Sequence, residues 1–139
     1  MTAVLRDAYG LPVSTSSRAA VDAYDDGVRA LLGFGADTVE SFRRAVAADP
    51  DFALARAALA VALYLDEQIP AARPEMERAV ADGAAQAASL TARERRHLEA
   101  LRLFVGGRGH DAIAVMQEVL ADFPRDVLLM QWFYYIYFW

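Results

Sequence analysis

The amino-acid sequence predicts an all-α chain, organised as an α-solenoid of antiparallel helical hairpins with about seven helices. Three observations lead there. Alanine is the commonest residue, and it both favours helix and lets helices approach closely. Glycines and prolines cluster between stretches of helical periodicity, where they punctuate the chain. Finally, two segments match each other. Phe42-Arg43-Arg44-Ala45-Val46-Ala47-Ala48-Asp49-Pro50-Asp51-Phe52 and Met116-Gln117-Glu118-Val119-Leu120-Ala121-Asp122-Phe123-Pro124-Arg125-Asp126 share an apolar anchor, a small or apolar residue three positions on, and a proline five after that. This is how a helix-turn-helix repeat of about 34 residues ends, and such repeats stack into a superhelix with a concave binding surface.

Residues 1–17 read as an irregular lead-in, rich in turn and cap residues (Gly10-Leu11-Pro12, then Ser14-Thr15-Ser16-Ser17). Residues 18–139 form the repeat domain. A serine caps a first helix over 18–32, and Gly33 and Gly35 supply left-handed backbone at its end. Asp37 and Glu40 have capping-box spacing and open a second helix, with Glu40 and Arg44 as an i,i+4 ion pair; Pro50 closes this first hairpin at 18–49. The third helix, from Asp51 to Asp66, carries only Arg56 as a charge between Phe52 and Leu65, so it is buried on several sides. Pro70 and Pro74 place the start of the fourth helix near residue 73, because proline suits only a first helical turn. The second hairpin is then 51–88. Thr91 and Glu94 make a second capping box that opens the fifth helix, 92–105; Gly106-Gly107-Arg108-Gly109 stops it, and a sixth helix, 110–122, completes the hairpin 91–123. Asp126 caps a seventh helix, 126–139, the first of an incomplete further repeat.

The register supports the repeat. Phe42 and Met76, Ala45 and Ala79, and Pro50 and Ala84 are each 34 positions apart. Small residues in these slots let the helices of a hairpin approach, so Ala79→Leu or Ala112→Leu should overpack it by about 1–3 kcal/mol. The tetratricopeptide pattern is imperfect: no tryptophan fills the leading aromatic slot, and Ala84 stands where a proline would end the repeat.

Asp7-Ala8-Tyr9-Gly10-Leu11-Pro12-Val13-Ser14-Thr15-Ser16, followed by Ala47-Ala48-Asp49-Pro50-Asp51-Phe52 and Thr91-Ala92-Arg93-Glu94-Arg95-Arg96-His97, resembles the N-terminal part of the tetratricopeptide repeat protein 38 family. The likeness spans nearly the whole chain. It implies a longer α-solenoid and leaves the activity open.

Composition excludes several function classes. All 14 cationic side chains are arginine, so there is no phosphate-loop or Schiff-base lysine. With no cysteine there is no disulfide, zinc–thiolate site or thiol nucleophile. A net charge of -5 argues against nucleic acid as a partner. The first residues lack an apolar signal core, which predicts a cytoplasmic protein; the arginine and alanine bias suggests a bacterial source.

No catalytic, cofactor-binding or metal-binding set emerges. Glu94 and His97 have the spacing of half a di-iron helix motif, but no second glutamate–histidine pair exists and Glu94 is accounted for by the capping box. His110-Asp111 reads as a helix start, and Gly106–Gly109 lacks the strand–glycine–helix context of a phosphate loop. The functional expectation comes from the repeat instead. Ala57, Val61 and Tyr64 of the third helix, Glu94, His97, Leu101 and Phe104 of the fifth, and Gln131 and Tyr135 of the seventh project onto one concave groove. That makes the chain a scaffold for a peptide or protein partner; alternatively these side chains only pack between helices. A second possibility is the N-terminal portion of a longer enzyme or small-molecule-binding solenoid. A third is homo-association through 127–139, which is aromatic all round and too short for the ~20 residues of a membrane span.

Overall fold

A computed structural model describes residues 4–138. The described residues form seven helices, α1 (Arg18–Leu32), α2 (Thr38–Ala48), α3 (Ala53–Leu65), α4 (Ile69–Ala85), α5 (Ala92–Val105), α6 (Gly109–Asp122) and α7 (Val127–Phe138). They contain no strand, only an isolated bridge between Arg6 and Pro12. None of these helices is long and apolar enough to cross a membrane.

The most extensive contacts join α1 to α2, α3 to α4 and α5 to α6, and each pair continues onto the next helix in sequence. α3 sits at the centre and meets α1, α2, α4, α5 and α7. Every residue from Ala53 to Leu63 is buried, as its nearly uncharged sequence predicts. The exception among them in chemistry, Arg56, lays its stem in the core and reaches α4, with Nη1 3.0 Å from Glu75 and Nε 3.0 Å from Asp82. α7 folds back across the odd-numbered helices and touches both α3 and α1.

Polar contacts near the starts of α5 and α7, and ring contacts near the ends of α3, α5 and α7, show that these three run the same way. Their N-termini meet at a polar end of the molecule and their C-termini at an aromatic end.

Close approach has a sequence cause. A Cβ built on Gly27 of α1 would lie 2.5 Å from the buried Phe42 ring of α2, and one on Gly83 of α4 would lie 2.5 Å from Leu98 of α5. Gly27→Ala would gain about 1 kcal/mol in helix propensity but overpack a ring that cannot retreat. A net destabilisation of about 1–2 kcal/mol is expected in urea unfolding. Ala79 and Ala112 are likewise fully buried.

Caps hold where side chains were suited to them. Ser17 accepts from the Ala20 N–H at 3.1 Å, and the Thr91–Glu94 box is complete. Asp126 accepts from the Leu129 N–H at 3.1 Å. Four expectations are corrected. α4 starts at Ile69 rather than near residue 73, with Pro70 in the first turn and Pro74 inside the helix. Both prolines are exposed, so the Pro70 carbonyl that loses its Pro74 donor can take water. Asp37 makes no side-chain cap; Thr38 Oγ1 instead donates to the Gly35 carbonyl at 2.9 Å. Arg44 pairs with Asp26 and Ser41, not Glu40. Neither Gly33 nor Gly35 is left-handed: Phe34 between them is, at φ 53.

The lead-in is also more ordered than its composition suggests. Asp7 N–H donates to the Leu11 carbonyl and Val13 N–H to the Leu5 carbonyl, each at 2.9 Å, folding the segment on itself around left-handed Gly10. Val13 is buried in the core.

Candidate functional site

Among the described residues, the polar end gathers the largest set of buried charges. Arg93, Glu94 and His97 at the start of α5 are buried, with Asp7 of the lead-in and Asp126 at the start of α7. Arg93 Nη1 donates to Asp126 Oδ2 at 3.0 Å, and Arg93 Nη2 reaches the Pro12 carbonyl at 3.2 Å and lies 3.8 Å from Asp7. His97 Nε2 pairs with the same Asp126 oxygen. Burial pushes the Asp126 carboxyl up, but His97, Arg93 and the Leu129 N–H outweigh it and hold it well below the usual carboxylate range. Glu94 Oε2 accepts from Ser14 N–H at 3.2 Å and Ser14 Oγ at 3.0 Å, while Oε1 accepts from Thr91 N–H at 3.0 Å. Nearby, Tyr24 is kept neutral foremost by burial, its phenol held far above the normal range.

A histidine–carboxylate pair invites a catalytic reading. Here the carboxylates serve helix starts and tie the lead-in to α5 and α7, while the buried Arg93 Nε has no hydrogen-bond partner. Among the described residues, no three metal-ligating side chains are grouped to hold an ion.

The aromatic end is open. Tyr64 is edge-on to Phe104 (centroids 5.2 Å) and to Tyr135 (5.7 Å), and Phe104 is edge-on to Trp132 (5.6 Å). Burial, then Tyr135, pushes the Tyr64 phenol up. Beside this cluster lies a cavity of about 550 Å³ between the ends of α1 and α3, the start of α2 and the last turns of α7. Leu31, Val39 and Leu65 form its apolar wall, and Phe34, Tyr134 and Phe138 its rim. Phe34 is 95% exposed in the left-handed region, an arrangement costing roughly 1–2 kcal/mol for a residue with a side chain. Burial of its ring does not repay that locally.

The nine groove positions divide between these environments. Ala57, Val61, Glu94, His97 and Leu101 are buried, Glu94 beneath Ser14 of the lead-in and His97 against Asp126. Tyr64 and Phe104 are half-buried in the ring cluster. Gln131 and Tyr135 line the cavity. The cavity at this C-terminal mouth thus takes in only Gln131 and Tyr135 of the nine positions. Phe34, Tyr134, Phe138 and Asp66 complete it. Phe34 carried a signal, an aromatic between two glycines in a turn; the exposed side of α7 carried none, since its sequence is apolar on every face.

No model of a known protein family matches the chain, and no solved structure matches it.

Proposed function

We propose that the chain is a tetratricopeptide-type helical-repeat scaffold, a solenoid of hairpins that holds a peptide or protein segment at its C-terminal mouth. The observation that carries this is the open apolar cavity of about 550 Å³ rimmed by exposed aromatic rings. Apolar walls with a few polar groups suit a bound side chain, and aromatic rings give contact area at small entropic cost. The paired packing of successive helices and the motif order that resembles the tetratricopeptide repeat protein 38 family support the repeat assignment. The lack of cysteine fits a cytoplasmic setting.

Panning a random-peptide phage library against the immobilised chain tests it. Enriched peptides should lose binding to Phe34→Ala, a change at an exposed rim position that leaves the core untouched. A library that yields no sequence dependent on Phe34 would refute the proposal.

The outer side of α7 favours a second reading, self-association. Tyr134, Tyr137 and Phe138 are all exposed, and Phe133–Tyr137 and Tyr134–Phe138 stack along the helix at 5.3 and 5.9 Å. Sedimentation should then show concentration-dependent association that Tyr137→Glu abolishes; a monomer throughout would rule it out.

A further inference from the structure

We infer that the mouth takes a cationic side chain, the arginine or lysine of a peptide partner set beside an apolar residue. This rests on the scaffold reading above and adds the chemistry of the occupant. The aromatic rim presents ring faces or edges from Phe34, Tyr134, Tyr135 and Phe138, and a cation within about 6 Å of a ring centroid is attracted by the π-cloud. Asp66 lines the same mouth as an exposed carboxylate, held by Gln68 Nε2 at 2.6 Å. No arginine or histidine lines it.

The backbone adds to this field. The carboxyl ends of α1 and α3 reach the mouth at Leu31 and at Leu65 and Asp66, and the last turns of α7 join them. Helix C-termini carry partial negative charge and favour cations. The N-terminus of α2 reaches the mouth at Thr38 and opposes them, but Asp37 and Glu40 sit in its opening turn and offset that positive end. Arg29 and Arg44 line a separate groove that shares Gly35 with the mouth, and there both face Asp26, at 3.0 and 3.8 Å. An arginine or lysine brought by a partner would thus meet aromatic faces, a carboxylate and helix ends of the right sign. The apolar wall of Leu31, Val39 and Leu65 would take the neighbouring aliphatic side chain.

The probe is an acetylated and amidated octapeptide alternating leucine with arginine, compared by calorimetric titration with the same peptide carrying citrulline, the neutral isostere, at every arginine. The arginine peptide should bind at least about tenfold more tightly. Phe34→Ala and Asp66→Asn should each weaken it about three- to tenfold. Glu77→Gln, an equal change in charge at an exposed position of α4, should leave it unchanged. Equal affinity for the two peptides, or a loss with Glu77→Gln as large as with Asp66→Asn, would overturn the inference. If both peptides bind equally and both depend on Phe34, the cation preference fails while the scaffold stands. If neither binds but the phage library yields sequences dependent on Phe34, again only the cation preference falls.

Discussion

Arg93→Ala should lower the unfolding free energy by about 3–5 kcal/mol, read from denaturant midpoints at neutral pH. The guanidinium is buried between Asp126 and Asp7 and also donates to the Pro12 carbonyl. Removing it leaves the Asp7 and Asp126 carboxylates in a buried site without the guanidinium between them, with only His97 still on Asp126. The cost is chiefly that of the abandoned charges, so Asp126→Asn should recover part of it when combined with Arg93→Ala, since asparagine can still accept the Leu129 N–H. The same carboxylate governs acid behaviour. Asp126 is held below its unfolded value, so the unfolded chain takes up this proton first as pH falls. The stability it contributes is complete above about pH 4 and is lost below that, as pH falls through the folded value. Asp25 works the other way, because burial raises its carboxyl and the folded chain binds that proton more readily. In Asp126→Asn the loss of stability between pH 6 and pH 3 should be smaller than in the parent protein, by about 1 kcal/mol or more. An unchanged slope would show that Asp126 does not set it.

Glu94→Ala is expected to cost about 3 kcal/mol, since it strips the partner from three part-buried donors at once. Its two oxygens serve the Thr91 N–H, the Ser14 N–H and the Ser14 hydroxyl. The first contact closes the capping box of α5 and the other two bind a segment 80 positions earlier. Both should fail together: hydrogen exchange should rise at the start of α5 and at residues 5–15 in the same variant. Glu94→Gln keeps one carbonyl acceptor and should lose about half as much. Ser14→Ala removes only the lead-in hydroxyl contact, so protection in α5 should survive it. If Ser14→Ala exposes α5 as much as Glu94→Ala does, the two halves of this contact are not separable as described.

Much of the helix pattern was legible in the sequence. Ser17, Thr91 and Asp126 are caps whose chemistry is local, so their spacing sufficed. The misreadings at Pro74 and Phe34 share a cause. A proline inside a helix and a phenylalanine in left-handed backbone both violate local preference, and each is tolerated because it sits in water at the surface. The groove was harder. Repeat register projects Ala57, Val61 and His97 onto one face, but whether such a face is open depends on how the other helices pack, and all three side chains are buried. A helix of aromatic residues on every side gives no periodicity from which to read its orientation. The polar network was invisible for a related reason: Asp7 and Arg93 are far apart in sequence and neither belongs to a motif that points to the other.

The return of α7 to α1 has a consequence for how this protein comes apart. In an open helical array each repeat touches only its neighbours, so the array can fray from one end in steps. Here the first helix meets the last described one, residue 12 holds residue 93, and residue 14 holds residue 94. Such contacts span most of the chain, and closing them delays folding until distant segments meet. They also tie residues 12–14 and α1 to the later helices, so these segments do not open independently. Signals from Trp132, from helix content and from amide exchange in α1 should therefore collapse at one denaturant concentration, the hallmark of an all-or-none transition.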